Sequence, residues 1–316
     1  MIDRSESLVT VFGGGGFIGR YVVQQLVKSG WRIRIAERDP KRAYFLQPLG
    51  WVGQFQFVTA DIRNRQSVER AVAGASAVIN LVGILKGDFQ AFHVEGARNV
   101  AEAAAAAGAR SLAHVSAIGA SSDSDSGYGR SKGEGEAAVR AAFPAAAIVR
   151  PSVVFGPEDN FTNRFASLAR WLPVLPVFGP NARFQPVYVA DLARAISSAA
   201  LDPEQYGGKV YELGGPHVVT MSELNHLICK VTGRAGKMIV PVPDGVAGAI
   251  ASLIGWLPGA PITSDQWKML QQPNVASGEL PGFDAFGIRP EPLGALAETW
   301  LMPYRRGGRF AVKQPY

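Results

Sequence analysis

Tyr128 and Lys132 stand four residues apart in the run Tyr128-Gly129-Arg130-Ser131-Lys132. On a helix, residues at i and i+4 share a face, so a phenol and an ammonium would meet. A neighbouring cation favours the phenolate, and a phenol lowered in this way serves as general acid or base near neutral pH. The same ammonium could touch a ribose. Taken alone, the spacing describes a surface pair; its meaning depends on what precedes it. Near the start of the chain, Val9-Thr10-Val11-Phe12 is an extended, β-prone run that breaks into four consecutive glycines, Gly13 to Gly16. A helical pattern then opens at Phe17 and Ile18 and continues through Val22, Val23, Leu26 and Val27. Gly13, Gly16 and Gly19 form Gly-x-x-Gly-x-x-Gly. Glycine supplies the positive φ of a tight turn and lets backbone approach a pyrophosphate. The following helix start presents free N–H groups and the positive end of its dipole. Strand, glycine turn and helix together are the layout of a dinucleotide phosphate loop.

The elements that must position these groups read as alternating strands and helices. Arg32-Ile33-Arg34-Ile35-Ala36 is a second strand, with Glu37 and Arg38 at its end, where a dinucleotide fold faces the adenosine ribose. An acid there suits the 2′-hydroxyl of NAD(H), and an arginine suits the 2′-phosphate of NADP(H). With Lys41 and Arg42 close behind, the pattern favours NADP(H), with NAD(H) as the alternative. Phe55 to Val58 is a third strand, ending at Asp61 and Ile62; Asp61 is placed either to cap the next helix or to contact adenine. Ala77 to Gly83 is a fourth strand, apolar on both faces as in a covered parallel sheet, and its end Leu81-Val82-Gly83 would lie along the cofactor. An alanine-rich helix spans about 89–107, and Ser111 to Ser116 is a fifth strand. Ser121 to Gly127 reads as a mobile loop over the site, leading into the helix of Tyr128. A sixth strand ends at Arg150-Pro151. Beyond it Pro173, Pro176, Pro180 and Pro186 break the alternation.

The fold class expected is therefore α/β: a Rossmann doubly wound parallel sheet with a smaller mixed C-terminal domain. The dinucleotide-binding domain takes 5–155 plus about 185–204, and the small substrate or partner domain takes about 156–184 and 205–316. In the latter, Val246 to Leu257 is apolar and helical in pattern but far too short to span a bilayer. Its primary reading is a packed helix. The sharper one turns part of it, with Trp256 and the basic residues Arg305, Arg306, Arg309 and Lys313, towards lipid headgroups.

The chain has 316 residues, 47% of them apolar, with one cysteine (Cys229) and four histidines. Cysteine metal clusters and internal disulfides are excluded by that count, and a zinc site is disfavoured. The first strand begins within a few residues of Met1, so no signal or transit peptide is expected; either the chain is made and used in the cytoplasm or a presequence has already been removed. The formal net charge of +6 fits an anionic cofactor, an acidic partner or a lipid surface. No aromatic–basic interleaving points to nucleic acid.

Gly13-x-x-Gly16-x-x-Gly19, Asp61, Tyr128-x-x-x-Lys132, Arg150-Pro151 with Phe155-Gly156-Pro157, and Val187-Tyr188-Val189-Ala190-Asp191 together resemble the extended short-chain dehydrogenase/reductase superfamily over most of the chain. Within it, the stretches Tyr128 to Glu136, Phe155 to Phe161, Gln185 to Val189 and Ile262 to Phe283 are similar to the NAD(P)H-binding alpha-subcomplex subunit 9 family of respiratory complex I. That resemblance implies tightly held NADP(H), a structural role at the junction of the hydrophilic and membrane arms, and no independent turnover. The missing presequence and the Ala/Arg/Gly-rich usage suggest a bacterial version, expected to be cytoplasmic and peripheral to the plasma membrane. Ser116 and Pro151 join the cofactor-binding set by the same resemblance. Active members use Asn, Ser or Thr, Tyr and Lys. Here Tyr128 and Lys132 match, whereas His93 stands at the Asn position and Ala117-Ile118 at the hydroxyl position, with Ser116 and Ser121 nearby. Losing one oriented donor typically costs ~10²–10³ in rate, which favours binding over catalysis. The alternatives are an active reductase or sugar epimerase using Tyr128 and Lys132, or a role in ubiquinone biosynthesis.

Overall fold

The computed structural model describes residues 7–255, 257, 262–305 and 307–308. The chain divides into two compact units. The first takes the residues up to Pro151, Val189–Leu213 and Ser277–Arg289; the second takes Ser152–Tyr188, Gly214–Ala276 and the chain from Pro290 on.

The first unit is built on a seven-stranded sheet. Its strands are β1 (Leu8–Phe12), β2 (Arg32–Glu37), β3 (Phe55–Thr59), β4 (Ala77–Asn80), β5 (Ser111–Val115), β6 (Ala147–Pro151) and β7 (Val210–Leu213). Their spatial order is β7-β6-β5-β4-β1-β2-β3, every pairing parallel. The order reverses between β1 and β4, and in open α/β sheets that switch point is where ligands bind. Helices α1 (Phe17–Lys28), α2 (Arg65–Val72), α3 (Gly96–Ala106), α4 (Gly127–Ala142) and α5 (Val189–Leu201) cover the sheet. α2, α3 and α4 pack side by side, and α1 packs on α5. Ala97, Ala101 and Ala104 are almost wholly buried; small side chains on this face let α3 lie close to the strands. The fully buried β4 and β5 explain the continuous apolar runs in the sequence.

One expectation needs correction. The sequence places 205–316 outside the sheet, yet β7 is its edge strand, with Val210 opposite Ile148 and Tyr211 opposite Val149. Segment Ser277–Arg289 returns to the same unit, where Phe286 stacks on Tyr206 at 4.7 Å.

The second unit has its own core around Phe155, Val177, Leu224, Ile228, Trp300 and Leu301. Its helix Met221–Val231 is opened by Thr220 and Glu223, which form a reciprocal capping box. The apolar stretch from Val246 is the helix Asp244–Ile254, and it is two-sided: Ala247 and Ala251 are buried, while Val246 and Leu253 are exposed. Trp256, Arg306, Arg309 and Lys313 lie outside the described residues. Arg305 does not reach outwards for headgroups; it pairs with Glu298 at 3.1 Å and donates to the Val231 carbonyl. Among the described residues no helix is long and apolar enough to cross a membrane.

Candidate functional site

The glycine turn closes directly off β1. Gly13 has φ +81° and donates to the Ala36 carbonyl at 3.2 Å, tying the turn to β2. Gly16 donates back to the Gly13 carbonyl at 3.1 Å. Gly19 sits in the first turn of α1, where a side chain would collide with the Gly13 carbonyl oxygen and lie 2.6 Å from that of Gly14. Helix and turn can approach this closely only because Gly19 lacks a Cβ. Gly16 is the N-cap and brings no side-chain acceptor, so the N–H groups of Phe17 and Ile18 have no intrahelical carbonyl to bond. This is a pre-shaped anion cradle.

At the adenosine end, Glu37 turns towards the loop, and its Oε1 accepts from the Gly15 N–H at 2.7 Å. Burial raises its pKa above the usual carboxylate value, opposed by that hydrogen bond and by Arg42 and Arg38. Arg38 is exposed and lies over the Phe92 ring at 5.6 Å, with Arg63 over the same ring at 4.6 Å. Asp61 does not cap α2. It forms a two-pronged pair with Arg63, the shortest contact being 2.6 Å, which holds its carboxyl below the usual range. The cap is Asn64, which accepts from Ser67 N–H. Ile62 is buried and packs where a Cβ on Gly96 would come.

Leu81 and Val82 line the glycine turn, each 3.5 Å from a Cβ built on Gly13. Lys132 Nζ lies 3.2 Å from a Cβ built on Gly83. It is buried and donates to the Val115 carbonyl at 3.2 Å. The ammonium stands 6.0 Å from the centre of the Tyr128 ring, and burial pushes the phenol up to about 12. Burial also lowers Lys132 to about 8, partly offset by Glu136. The Pro151 carbonyl accepts from Ile118 N–H, joining the two chain turns beyond β5 and β6. The loop before α4 is not the free cover expected. Ser121 donates its N–H to the Gly129 carbonyl, Arg130 reaches the Ser124 carbonyl, and Ser126 caps α4.

His93 is more than a departure from a pattern. It sits in a π-helical turn, Gln90–Glu95, directly ahead of α3. Its Nε2 accepts from Ile84 N–H at 3.0 Å, so the ring proton belongs on Nδ1, which faces Ser131 Oγ at 2.9 Å. The Ser131 hydroxyl donates in turn to the Tyr128 carbonyl. The imidazole stacks on Phe89 and meets Tyr128 edge-on at 5.4 Å. It thereby ties the loop after β4 to the start of α4.

Asn80 and His114 escaped the sequence reading. They are paired across β4 and β5, with Asn80 Nδ2 donating to His114 Nδ1 at 3.2 Å while Asn80 Oδ1 accepts from Val82 N–H. The available signal was two polar residues in otherwise apolar strands at matching register. His114 Nε2 and Ser116 Oγ are buried without a protein partner. Buried polar atoms of this kind are satisfied by a polar ligand or ordered water. With the glycine cradle, they fit a dinucleotide lying across the switch point.

Both buried imidazoles are held down to about 3, first by burial and then by the charge of Lys132. An unfolded histidine takes its proton near 6.5. The unfolded chain therefore binds more protons between those values, and stability falls as pH drops through that window. Unfolding free energy from urea titrations should fall from about pH 6.5 downwards, by up to about 1.4 kcal/mol per pH unit for each histidine, and should rise above about pH 8 as the buried Lys132 loses its proton. His93→Asn should roughly halve the slope; a midpoint that does not move between about pH 7 and pH 5 contradicts this assignment.

Residues 9–214 match the NAD dependent epimerase/dehydratase family. The chain is 37% identical over 299 residues to NADH dehydrogenase [ubiquinone] 1 alpha subcomplex subunit 9 of Mus musculus, covering 92% of this chain and 78% of that protein. It is 36% identical over 208 residues to a ceramide reductase of Caulobacter vibrioides, covering 64% of each. An NADPH-dependent quinone oxidoreductase of Escherichia coli, crystallised with NADPH, superposes with a TM-score of 0.72 at 20% identity, over 92% of this chain and 99% of that one. At that identity the likeness concerns the fold. With a Rossmann sheet, a glycine cradle at its switch point and these relatives, the chain belongs to the extended short-chain dehydrogenases within the NAD dependent epimerase/dehydratase family, and among them to the family of complex I alpha subcomplex subunit 9.

Proposed function

We propose that the protein is a dinucleotide-binding accessory subunit of respiratory complex I that holds NADP(H) as part of its structure and does not turn it over. The observation that carries this reading is the contrast within one site: a complete phosphate cradle beside a Tyr128 that lacks its usual helpers, with His93 tied up between Ile84 and Ser131 and Ala117-Ile118 at the hydroxyl position. No hydroxyl side chain occupies Ala117 or Ile118 to polarise a substrate oxygen. The similarity to complex I subunits supports the partner. Peripheral placement on the plasma membrane at the junction of the two arms follows the same reading.

In this role Gly13, Gly16, Phe17, Ile18 and Gly19 hold the pyrophosphate, while Glu37, Arg38, Asp61 and Ile62 surround the adenosine. Leu81, Val82, Gly83, Ser116, Lys132 and Pro151 flank the nicotinamide half. Bound at about a hundredfold over its Kd, such a ligand stabilises the native state by ~2.7 kcal/mol. Arg38 is the group best placed for a 2′-phosphate. Arg38→Ala should weaken NADPH binding by about tenfold or more, the worth of a charge-assisted hydrogen bond, and leave NADH nearly unchanged. Isothermal titration with both nucleotides decides this, and equal losses would show that Arg38 does not read the phosphate.

Tyr128→Phe separates binding from catalysis. The substituted protein should keep its NADPH and still co-purify with complex I from solubilised membranes. A second reading, an active reductase, is favoured by the presence of both Tyr128 and Lys132 and by the similarity to a ceramide reductase. It requires steady NADPH oxidation with a carbonyl substrate, abolished in Tyr128→Phe, and that result would replace the structural role.

A further inference from the structure

In the second unit, strands Val174–Val177 and Met238–Pro241 form a parallel ribbon. Leu175 and Val177 point into the core and are almost wholly buried. The other face is also apolar. Val174 lies opposite Met238 and Pro176 opposite Val240, and all four are exposed. Trp171, at the end of the helix Thr162–Trp171 just ahead of the ribbon, is 75% exposed and Met238 is 63% exposed. A strand whose two faces are both apolar has no folding reason to be so when one face meets water. Contiguous exposed apolar patches mark interaction surfaces.

The two segments that carry the ribbon hold charges of one sign. Residues 162–177 and 228–241 contain Arg164, Arg170, Lys230, Arg234 and Lys237 and not one Asp or Glu. Arg170 stacks over Trp171 at 5.3 Å. A hollow of about 550 Å³ beside the ribbon is lined by Arg234, Lys237, Met238 and Pro173. Arg234 is held in place there, donating to the carbonyls of Thr232 and Tyr304. Aromatic and aliphatic side chains ringed by cations match the boundary between acyl chains and anionic headgroups. Trp in particular sits at that depth, with an apolar body and one polar N–H.

We propose that the outward face of this ribbon, with Trp171 and its cationic rim, docks on the surface of an anionic lipid bilayer, and that the hollow beside it seats a headgroup phosphate. This deepens the peripheral placement proposed above. It can fail on its own, because the test needs only the purified full-length protein and pure lipid.

The test is co-sedimentation with vesicles of phosphatidylcholine alone and of phosphatidylcholine mixed with phosphatidylglycerol. Binding is expected to the mixed vesicles, to weaken with added salt, and to be nearly absent with phosphatidylcholine. Trp171→Ala with Met238→Ala should lower partitioning by about tenfold, and Lys237→Gln by about fivefold, as for one cation near a charged surface. Both sites are on the surface, so thermal melts should match the parent. Trp51→Ala, at another exposed aromatic (69% exposed), should leave binding unchanged. Equal binding to both vesicle types, no binding to either, or loss caused by Trp51→Ala and not by the ribbon variants would each overturn the proposal. The last outcome would move the surface to the Tyr44–Val52 segment. An association with complex I that persists in ribbon variants unable to bind lipid leaves the subunit assignment standing.

Discussion

Gly19→Ala is expected to release the dinucleotide and to cost stability at the same time. Its Cβ would be driven into the Gly13 carbonyl and to within 2.6 Å of the Gly14 carbonyl oxygen, both backbone atoms with nowhere to go. Either α1 moves off the glycine turn or the turn opens, and both outcomes misalign the cradle. Overpacking of this kind costs about 1–3 kcal/mol. Loss of the bound nucleotide removes a further ~2.7 kcal/mol wherever the site had been saturated about a hundredfold. The measurement is nucleotide content of the purified protein together with urea midpoints taken with and without added NADPH. The added ligand should stabilise the parent and not the variant. Gly294→Ala is the matching control. It lies in the helix Leu293–Leu301 with nothing near its missing Cβ, so it should gain about 0.5–1 kcal/mol from helix entropy. If Gly19→Ala keeps its nucleotide, the close approach of helix and turn is not what shapes the site.

The second large effect lies at the buried ion cluster beyond Lys132. Arg150 on β6 grips Glu136 of α4 through two hydrogen bonds, 2.8 and 2.6 Å, and lies 3.7 Å from Glu212 of β7. Glu136 is 5% exposed and Glu212 is 7% exposed. Glu212 also accepts from Ser277 N–H, fastening segment Ser277–Arg289 to the sheet. Arg150→Met leaves two buried carboxylates without their shared counter-charge, a change that typically costs ~3–5 kcal/mol. Adding Glu136→Leu should recover part of that loss, because one stranded charge goes with it. Hydrogen exchange should rise first in 277–289 and at β7. A variant as stable as the parent would mean that water already screens this cluster.

The glycine turn, the first six strands and the Tyr128 helix were readable because each is local. Periodicity and turn chemistry within some ten residues determine them, and the burial of β4 and β5 follows their apolar runs. β7 was not readable as part of the sheet. Lys209 to Leu213 looks like any short strand, and its partner Ile148 is separated from it by a whole excursion of the chain. The surroundings of Lys132 were hidden for a related reason. Spacing places Lys132 on the same helix face as Tyr128 but does not show its hydrogen bond to the Val115 carbonyl, which comes from a strand. At α2 the sequence offered Asp61 as a cap; Arg63 takes its carboxylate, and Asn64, which the reading missed, caps the helix. His93 was legible as an anomaly, but not its role, because its two partners, Ile84 and Ser131, come from loop and helix segments far apart in sequence.

The interleaving of the two units has a consequence for how the protein is made. Residues up to Pro151 contain six strands but neither α5 nor β7, and 277–289 comes later still. At ~5–20 residues per second, a nascent chain carries an unfinished sheet edge at β6 for several seconds before β7 leaves the ribosome. That edge, Ala147 to Pro151, is apolar apart from Arg150. No single cut yields either unit whole, so truncations at Pro151 should aggregate rather than yield a soluble nucleotide-binding fragment.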